Sequence, residues 1–131
     1  MESEIKHQTA NFIHLRDCAE FVAGDDSILR ELLHPDKMPV AVRYSLAHAT
    51  VRPGTRTRRH RLKTAEVYYL LAGQARMHID DETSQVGPGC AVYIPPGATQ
   101  HIENTGPGDL VFLCIVDPAW RARDEEILDN D

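Results

Sequence analysis

The stretch that most constrains this chain runs from Pro53 to Gly73, PGTRTRRHRLKTAEVYYLLAG. It opens with a Pro-Gly turn, continues through a His and a Glu six residues apart, and closes with a Gly. Pro and Gly interrupt regular structure, whereas an alternating apolar run is typical of a half-buried strand. The stretch therefore predicts a strand held between two turns, with polar side chains near its start.

A second stretch, from Gly89 to Asn104, follows the same plan with the sequence GCAVYIPPGATQHIEN. A short apolar run leads to a Pro-Pro-Gly turn, and polar side chains follow it. In strand geometry Gln100 and His101 point to opposite faces, so a regular strand can direct only one of them inward. A bulge after the turn would instead direct His101 inward and Gln100 outward.

Together the two stretches resemble the two motifs of the cupin superfamily. The first family motif has a Gly, an H-x-H pair, a Glu and a second Gly, and the residues here are Gly54, His60, Leu62, Glu66 and Gly73. The second has a Gly, a P-x-G turn, a His and an Asn, and the residues here are Gly89, Pro95, Gly97, Gln100 and Asn104. Two of the family's His positions are thus occupied by Leu62 and Gln100.

The resemblance implies an all-β fold, a double-stranded β-helix of the cupin or jelly-roll type, over residues 40–117. Residues 1–39 are expected to form an N-terminal extension with a frayed leader, a short edge strand at Asn11–Leu15 and an amphipathic helix at Ser27–Leu33. The helix prediction depends on apolar residues at helical spacing before His34-Pro35. Residues 118–131 are expected to form an acidic C-terminal tail.

The resemblance also implies a divalent metal ion, because many cupins hold one through His, His, Glu and His. Position by position, that set becomes His60, Leu62, Glu66 and Gln100, in which Leu cannot ligate and Gln is a weak ligand. His60, Glu66 and Gln100 would suit Mn, Fe or Zn with water completing the shell. If a bulge turned His101 inward, it would replace Gln100 and give the two-His, one-carboxylate set of non-haem iron oxygenases. The unchanged motif spacing favours Gln100 as the inward residue.

The strand at Thr64–Leu71 places Glu66, Tyr68 and Leu70 on one face, which we expect to face the barrel. A carboxylate on such a face is costly unless it is paired, hydrogen-bonded or bound to metal, so Glu66 should have a specific role. One interpretation makes Glu66 a general base beside Tyr68 and His60, as a metal-free isomerase or epimerase would need. On the next strand, the same alternation directs His78 to solvent.

Three functions remain open from the sequence. The first is a protein that binds a small anionic or sugar-like molecule in the barrel, with the divalent ion polarising it. The second is the metal-free isomerase or epimerase that uses Glu66. The third is a non-catalytic module that binds a small molecule.

The net charge of the chain and the positions of its basic residues limit the kinds of partner that it can bind. The net charge of −6 argues against nucleic acid, which binds cationic surfaces. Six basic residues nevertheless fall between Arg52 and Lys63. They predict either an electropositive rim for an anionic substrate, a solvated strand edge, or pairing with the acidic tail DEEILDND.

The remaining expectations concern compartment and assembly. Cys18, Cys90 and Cys114 are odd in number and widely spaced, so no disulfide framework is predicted. With no apolar leader or membrane-spanning run, a cytoplasmic location without membrane contact is expected. The strands at 40–51 and 110–116 are apolar on both faces, which predicts a homodimer.

Overall fold

The computed structural model describes residues 11–129 as two antiparallel β-sheets, and the all-β double-stranded β-helix is confirmed. The frayed leader predicted for residues 1–10 and the last two residues of the tail lie outside the described part. One sheet has the order β1-β2-β3-β10-β5-β8, and the other β11-β4-β9-β6-β7. The strands are β1 Glu20–Val22, β2 Ile28–Leu33, β3 Ser45–Val51, β4 His60–Leu62, β5 Ala65–Ala72, β6 Ala75–Ile79, β7 Glu82–Val86, β8 Ala91–Ile94, β9 Gln100–Asn104, β10 Leu110–Asp117 and β11 Glu125–Ile127.

The core lies between the inner faces of the two sheets. On β5 the predicted alternation is present, because Glu66, Tyr68 and Leu70 are buried while Tyr69 is exposed. The Tyr68 ring packs against Phe112 on β10, with ring centroids 4.4 Å apart. Residues 11–129 contain no helix long and apolar enough to cross a membrane.

The motif glycines occupy turns that favour glycine. Gly54, Gly73, Gly89 and Gly97 all have φ between 75° and 93°, a region that side chains with a Cβ rarely adopt. At Gly73 a Cβ would also lie 2.8 Å from the Asp109 carbonyl oxygen. The first motif therefore ends on Gly for both backbone and packing reasons.

Two predictions for the N-terminal extension are wrong. Ser27–Leu33 is not a helix, because residues 28–33 form β2, which pairs with β1 on one side and β3 on the other. Asn11–Leu15 is not a strand, and a 3-10 turn begins at its last residue, Leu15–Asp17. Every residue of β2 is half-buried, so both faces of the strand carry apolar residues, and the register shift between Glu31 and Leu33 adds to a pattern that imitates helical spacing.

The C-terminal tail returns to the barrel and continues the five-stranded sheet. β11 pairs antiparallel with β4, with Ile127 opposite His60. Asp129 accepts hydrogen bonds from Arg59 Nε at 2.9 Å and Arg56 Nη1 at 3.2 Å. Arg61 pairs in the same way with Glu126 at 2.7 Å. Of the alternatives for the basic segment, pairing with the acidic tail is therefore present.

Candidate functional site

A cavity of about 280 Å³ opens into the barrel beside the six-stranded sheet. Apolar side chains, among them Leu29 and Phe112, form much of its wall. Several of the polar groups around it come from five separate parts of the chain, and they include Asp25, Ser27, His60, Glu66, Cys114 and Glu125. A mostly apolar pocket with a few convergent polar groups is typical of a small-molecule site.

Glu66 is the central polar group of this cavity. Its side chain is buried, Oε1 accepts a hydrogen bond from Gln100 Nε2 at 2.7 Å, and Oε2 accepts one from Cys114 Sγ at 2.7 Å. Burial raises the pKa of Glu66, while the bonds from Cys114 and Gln100 and the nearby His60 oppose the rise. The carboxyl group therefore holds its proton to higher pH than a free Glu does, which suits proton transfer.

Tyr68 and Gln100 fix the position of Glu66 through a buried chain of hydrogen bonds. The Tyr68 hydroxyl donates to Gln100 Oε1 at 3.0 Å, and the Gln100 amide donates onward to Glu66. Burial and the charge of Glu66 raise the pKa of Tyr68 well above its usual value, so the hydroxyl is a donor. Because Oε1 of Gln100 must accept from Tyr68 and Nε2 must donate to Glu66, only one orientation of the amide satisfies both partners.

His60 contributes an imidazole nitrogen to the same cavity. The ring is buried, and its Nδ1 lies 2.8 Å from the Arg58 carbonyl oxygen, which can only accept. Nδ1 therefore carries a proton, and Nε2 faces Asp25 Oδ2 at 3.7 Å. Asp25 Oδ1 accepts in turn from the Ser27 amide at 3.0 Å and hydroxyl at 2.6 Å.

Sequence reasoning missed Asp25, Ser27 and Glu125. The first two lie in the segment interpreted as a helix start, although the Asp-Asp-Ser sequence is itself a turn signal. Glu125 belongs to the tail, and burial raises its pKa against the opposing effect of His60. A Cβ on Gly24 would lie 3.1 Å from Glu125 Oε1, so the tail and the N-terminal segment approach closely at the cavity.

The structure brings together most of the residues singled out from the sequence. His60 and Gln100 are directly opposite on β4 and β9, and Gln100 contacts Glu66. Gln100 is buried and His101 lies on the opposite face, as a regular register predicts. The catalytic roles of Glu66 and Tyr68 and the ligand roles of the others stay predictions.

The interior donors, as arranged, do not fit a divalent ion. The amide of Gln100 is directed at Glu66 and Tyr68, and Leu62 occupies the position of the family's second His. Within residues 11–129, the interior His, Cys, Asp and Glu ligand atoms do not gather three together within 4.8 Å. One imidazole and one carboxylate are too few protein ligands for a transition-metal site.

Comparison with known proteins identifies the family. The sequence profile of the cupin domain matches residues 47–116, and the chain belongs to the cupin family. An uncharacterized protein of Methanocaldococcus jannaschii is 41% identical over 110 residues, which cover 83% of this chain and 87% of the relative. The mannose-1-phosphate guanylyltransferase ManC of Salmonella typhimurium is 36% identical over 92 residues, which cover 63% of this chain but 18% of that enzyme.

Solved structures agree with the fold. The polyketide cyclase RemF of Streptomyces resistomycificus has a TM-score of 0.77 at 21% identity, covering 94% of this chain and 88% of that one. Oxalate decarboxylase of Bacillus subtilis has a TM-score of 0.76 at 24% identity, covering 89% of this chain and 31% of that one. At such identities the likeness extends to the barrel and not to its chemistry.

Proposed function

We propose that the protein is an acid–base enzyme, of the isomerase or epimerase type, that acts on a small sugar-like molecule without a metal ion in the barrel. The observation that carries this proposal is Glu66, a buried carboxyl group with a raised pKa at the wall of a cavity. Two donors hold it in place, so it can exchange a proton without losing its position.

Each polar group has a role in the proposed reaction. Glu66 removes a proton from the hydroxyl-bearing carbon next to a carbonyl group and returns it to the former carbonyl carbon, while the hydroxyl proton passes to the carbonyl oxygen. His60 donates from Nδ1 to the Arg58 carbonyl oxygen, so its Nε2 accepts a hydrogen bond from a substrate hydroxyl group. Tyr68 acts through Gln100 and is therefore a positioning residue in this scheme.

The charges around the cavity favour an uncharged substrate over an anionic one. Asp25, Glu66 and Glu125 line the cavity, and acidic groups repel an anion whenever they are ionised. Lys37, which also lines it, pairs with Glu31 at 2.6 Å. Of the basic residues expected to attract an anion, Arg56, Arg59 and Arg61 pair with the tail and Arg58 pairs with Asp26. A neutral polyol or hydroxy-carbonyl compound fits this environment, and the sequence similarity to a sugar-phosphate enzyme supports a sugar-like skeleton.

Solvent isotope exchange tests the proposal. Chelator-treated protein is incubated in D₂O with a panel of neutral sugars and hydroxy-carbonyl compounds, and proton NMR follows deuterium incorporation at carbon. We expect exchange with wild type and at least a 100-fold slower rate in Glu66→Gln, since general acid–base groups contribute about 10²–10⁴-fold. Glu82→Gln, on exposed β7, is the matched control and should keep the rate.

Other outcomes contradict the proposal. Binding of a panel compound without exchange or turnover indicates a non-catalytic module. Exchange that disappears on chelation and returns with added Mn²⁺, Fe²⁺ or Zn²⁺ assigns the reaction to a metal centre.

We also propose that the protein is a homodimer joined through the outer face of the six-stranded sheet. Tyr69 and Leu71 on β5 are each 43% exposed, and Tyr93 on β8 is 62% exposed. Tyr69 is opposite Leu113 and Val67 is opposite Tyr93, so the apolar side chains are contiguous. A second copy would cover this face.

Sedimentation velocity at micromolar concentration tests the dimer. Tyr93→Glu should convert the dimer to monomer, because it places a charge in the apolar face. Ser84→Glu, on the exposed β7 of the other sheet, should not. A monomeric wild type, or a Tyr93→Glu variant that remains dimeric, contradicts the proposal.

A further inference from the structure

Three potential metal ligands meet on the outer face of the five-stranded sheet, away from the cavity. His78 on β6 and His101 on β9 are directly opposite in the antiparallel ladder. Their rings are stacked, with centroids 4.0 Å apart and planes 9° from parallel. Glu103 is two residues along β9 from His101, so its side chain is on the same face. We call this group the outer His-His-Glu cluster.

The donor atoms of the cluster converge on one point. Glu103 Oε1 lies 2.5 Å from His78 Nε2 and 3.8 Å from His101 Nε2. The three ligand atoms all lie within 4.8 Å of one another. Ligands at ~2.1 Å around a tetrahedral ion are separated by about 3.4 Å. Small rotations of two rings and one carboxylate would therefore accommodate an ion.

The surroundings of His78 also suit ligation through Nε2. Its other nitrogen, Nδ1, lies 3.1 Å from Thr83 Oγ1 on the neighbouring strand. When Nε2 binds an ion, Nδ1 carries the ring proton and donates it to this hydroxyl. Histidines that bind metals commonly have such an outer hydrogen bond, which fixes the ring.

The charge near the cluster is mixed, because Arg76 is opposite Glu103 in the ladder and the positive charge of Arg56 acts on His101, whereas Glu103 and Asp129 act in the opposite direction. The backbones of Arg56 and Glu103 form an isolated antiparallel β-bridge, and the Arg56 guanidinium pairs with Asp129 at 3.2 Å. The side chains of His78, His101 and Glu103 are 24%, 16% and 34% exposed, so an ion can enter and water can complete its shell.

We propose that the outer His-His-Glu cluster is a binding site for a divalent transition-metal ion of the Zn²⁺ class, held by two imidazole nitrogens, one carboxylate oxygen and water. Two neutral nitrogens and one carboxylate are a set that zinc and its neighbours accept. The ion takes the place of the hydrogen bond between His78 and Glu103 and links β6 to β9. This site is independent of the chemistry proposed for the cavity.

Calorimetric titration of chelator-treated, tag-free protein with ZnCl₂ tests the site. Wild type should bind one equivalent, and His101→Gln and Glu103→Gln should each weaken binding about 10-fold or more, because even losing an outer hydrogen bond to a ligand costs 10–100-fold. The matched control His14→Gln, an exposed histidine elsewhere, and the interior variant His60→Gln should bind as wild type does.

A second readout does not depend on the variants folding. In wild type, the ¹⁵N signals of His78 and His101 Nε2 should shift on zinc addition, while that of His60 should not. No zinc binding at millimolar concentration overturns the proposal. Binding that weakens in His60→Gln but not in His101→Gln also overturns it, because the ion would then lie inside the barrel.

Discussion

Replacing Gln100 should be among the most damaging single changes in the barrel, although the residue carries no charge. Gln100 is 1% exposed and bonds both Tyr68 and Glu66. Gln100→Met keeps an unbranched side chain of similar size but removes both hydrogen-bonding groups. The Tyr68 hydroxyl and Glu66 Oε1 would each lose a partner in a buried place.

The expected cost follows from those two groups. A buried polar group left without a partner costs about 1–3 kcal/mol, so the variant should lose about 2–6 kcal/mol of unfolding free energy. Typical domains have only about 5–15 kcal/mol, so the effect is large. Urea denaturation at pH 7, followed by circular dichroism, measures it. Gln85→Met is the control, since the exposed Gln85 side chain donates to Thr105 at the surface, and the change should alter stability by about 0.5 kcal/mol or less.

A double-mutant cycle sharpens this test. Tyr68→Phe alone leaves Gln100 Oε1 without its donor, whereas in the Gln100→Met background the hydroxyl has already lost its partner. The second change should therefore cost less in that background, with a coupling of about 0.5–3 kcal/mol. A Gln100→Met cost below about 1 kcal/mol, or costs that simply add, would refute the buried hydrogen-bond chain.

Three further predictions follow from the packing and the charges. Burial and the charge of Glu66 raise the pKa of Cys114 well above its usual value, so at pH 8 iodoacetamide should alkylate Cys114 more slowly than Cys90. Peptide mass spectrometry measures the two rates, and equal rates would contradict the raised pKa. Ile102 is fully buried, so Ile102→Ala should cost about 2–5 kcal/mol in urea denaturation, and a cost below about 1 kcal/mol would contradict the core described for β9. Hydrogen bonds from Arg59 and Arg56 hold the pKa of Asp129 well below its usual range, so Asp129→Asn should loosen the tail and speed its cleavage in limited proteolysis. The control Asp81→Asn should not change the cleavage rate. Equal cleavage rates in Asp129→Asn and wild type would contradict the pairing of the tail.

The sequence predicted the fold best where one face of a strand is buried without interruption. On β5 the alternation from Glu66 to Leu70 is regular, so its inward face could be identified directly. On β2 both faces are half-buried and the register shifts near Leu33, so the strand has no alternation and its apolar residues have helical spacing. The prediction failed there because pairing with β1 and β3, which the local sequence does not reveal, decides the conformation.

The residues that line the cavity could also be predicted only in part, because long-range pairing brings some of them there. Glu66 was identifiable because burying a carboxylate on an apolar strand is costly unless the group is paired or hydrogen-bonded. Asp25 and Glu125 could not be found in this way, since each lies in a polar segment and reaches the cavity only through long-range pairing. His78 was expected to face solvent, yet its position opposite His101 depends on the register of β6 and β9.

The protonation of Glu66 is the central physical claim, and it can be measured directly. The carboxyl ¹³C signal of Glu66, assigned by its loss in Glu66→Gln, is followed by NMR between pH 3 and pH 9 in chelator-treated protein. Because burial raises the pKa, the midpoint should lie above the usual 4.5, and the neutral acid should persist as pH rises past that value. Cys114→Ala should move the midpoint further up, since the thiol stabilises the carboxylate. A wild-type midpoint at or below 4.5 would contradict the account.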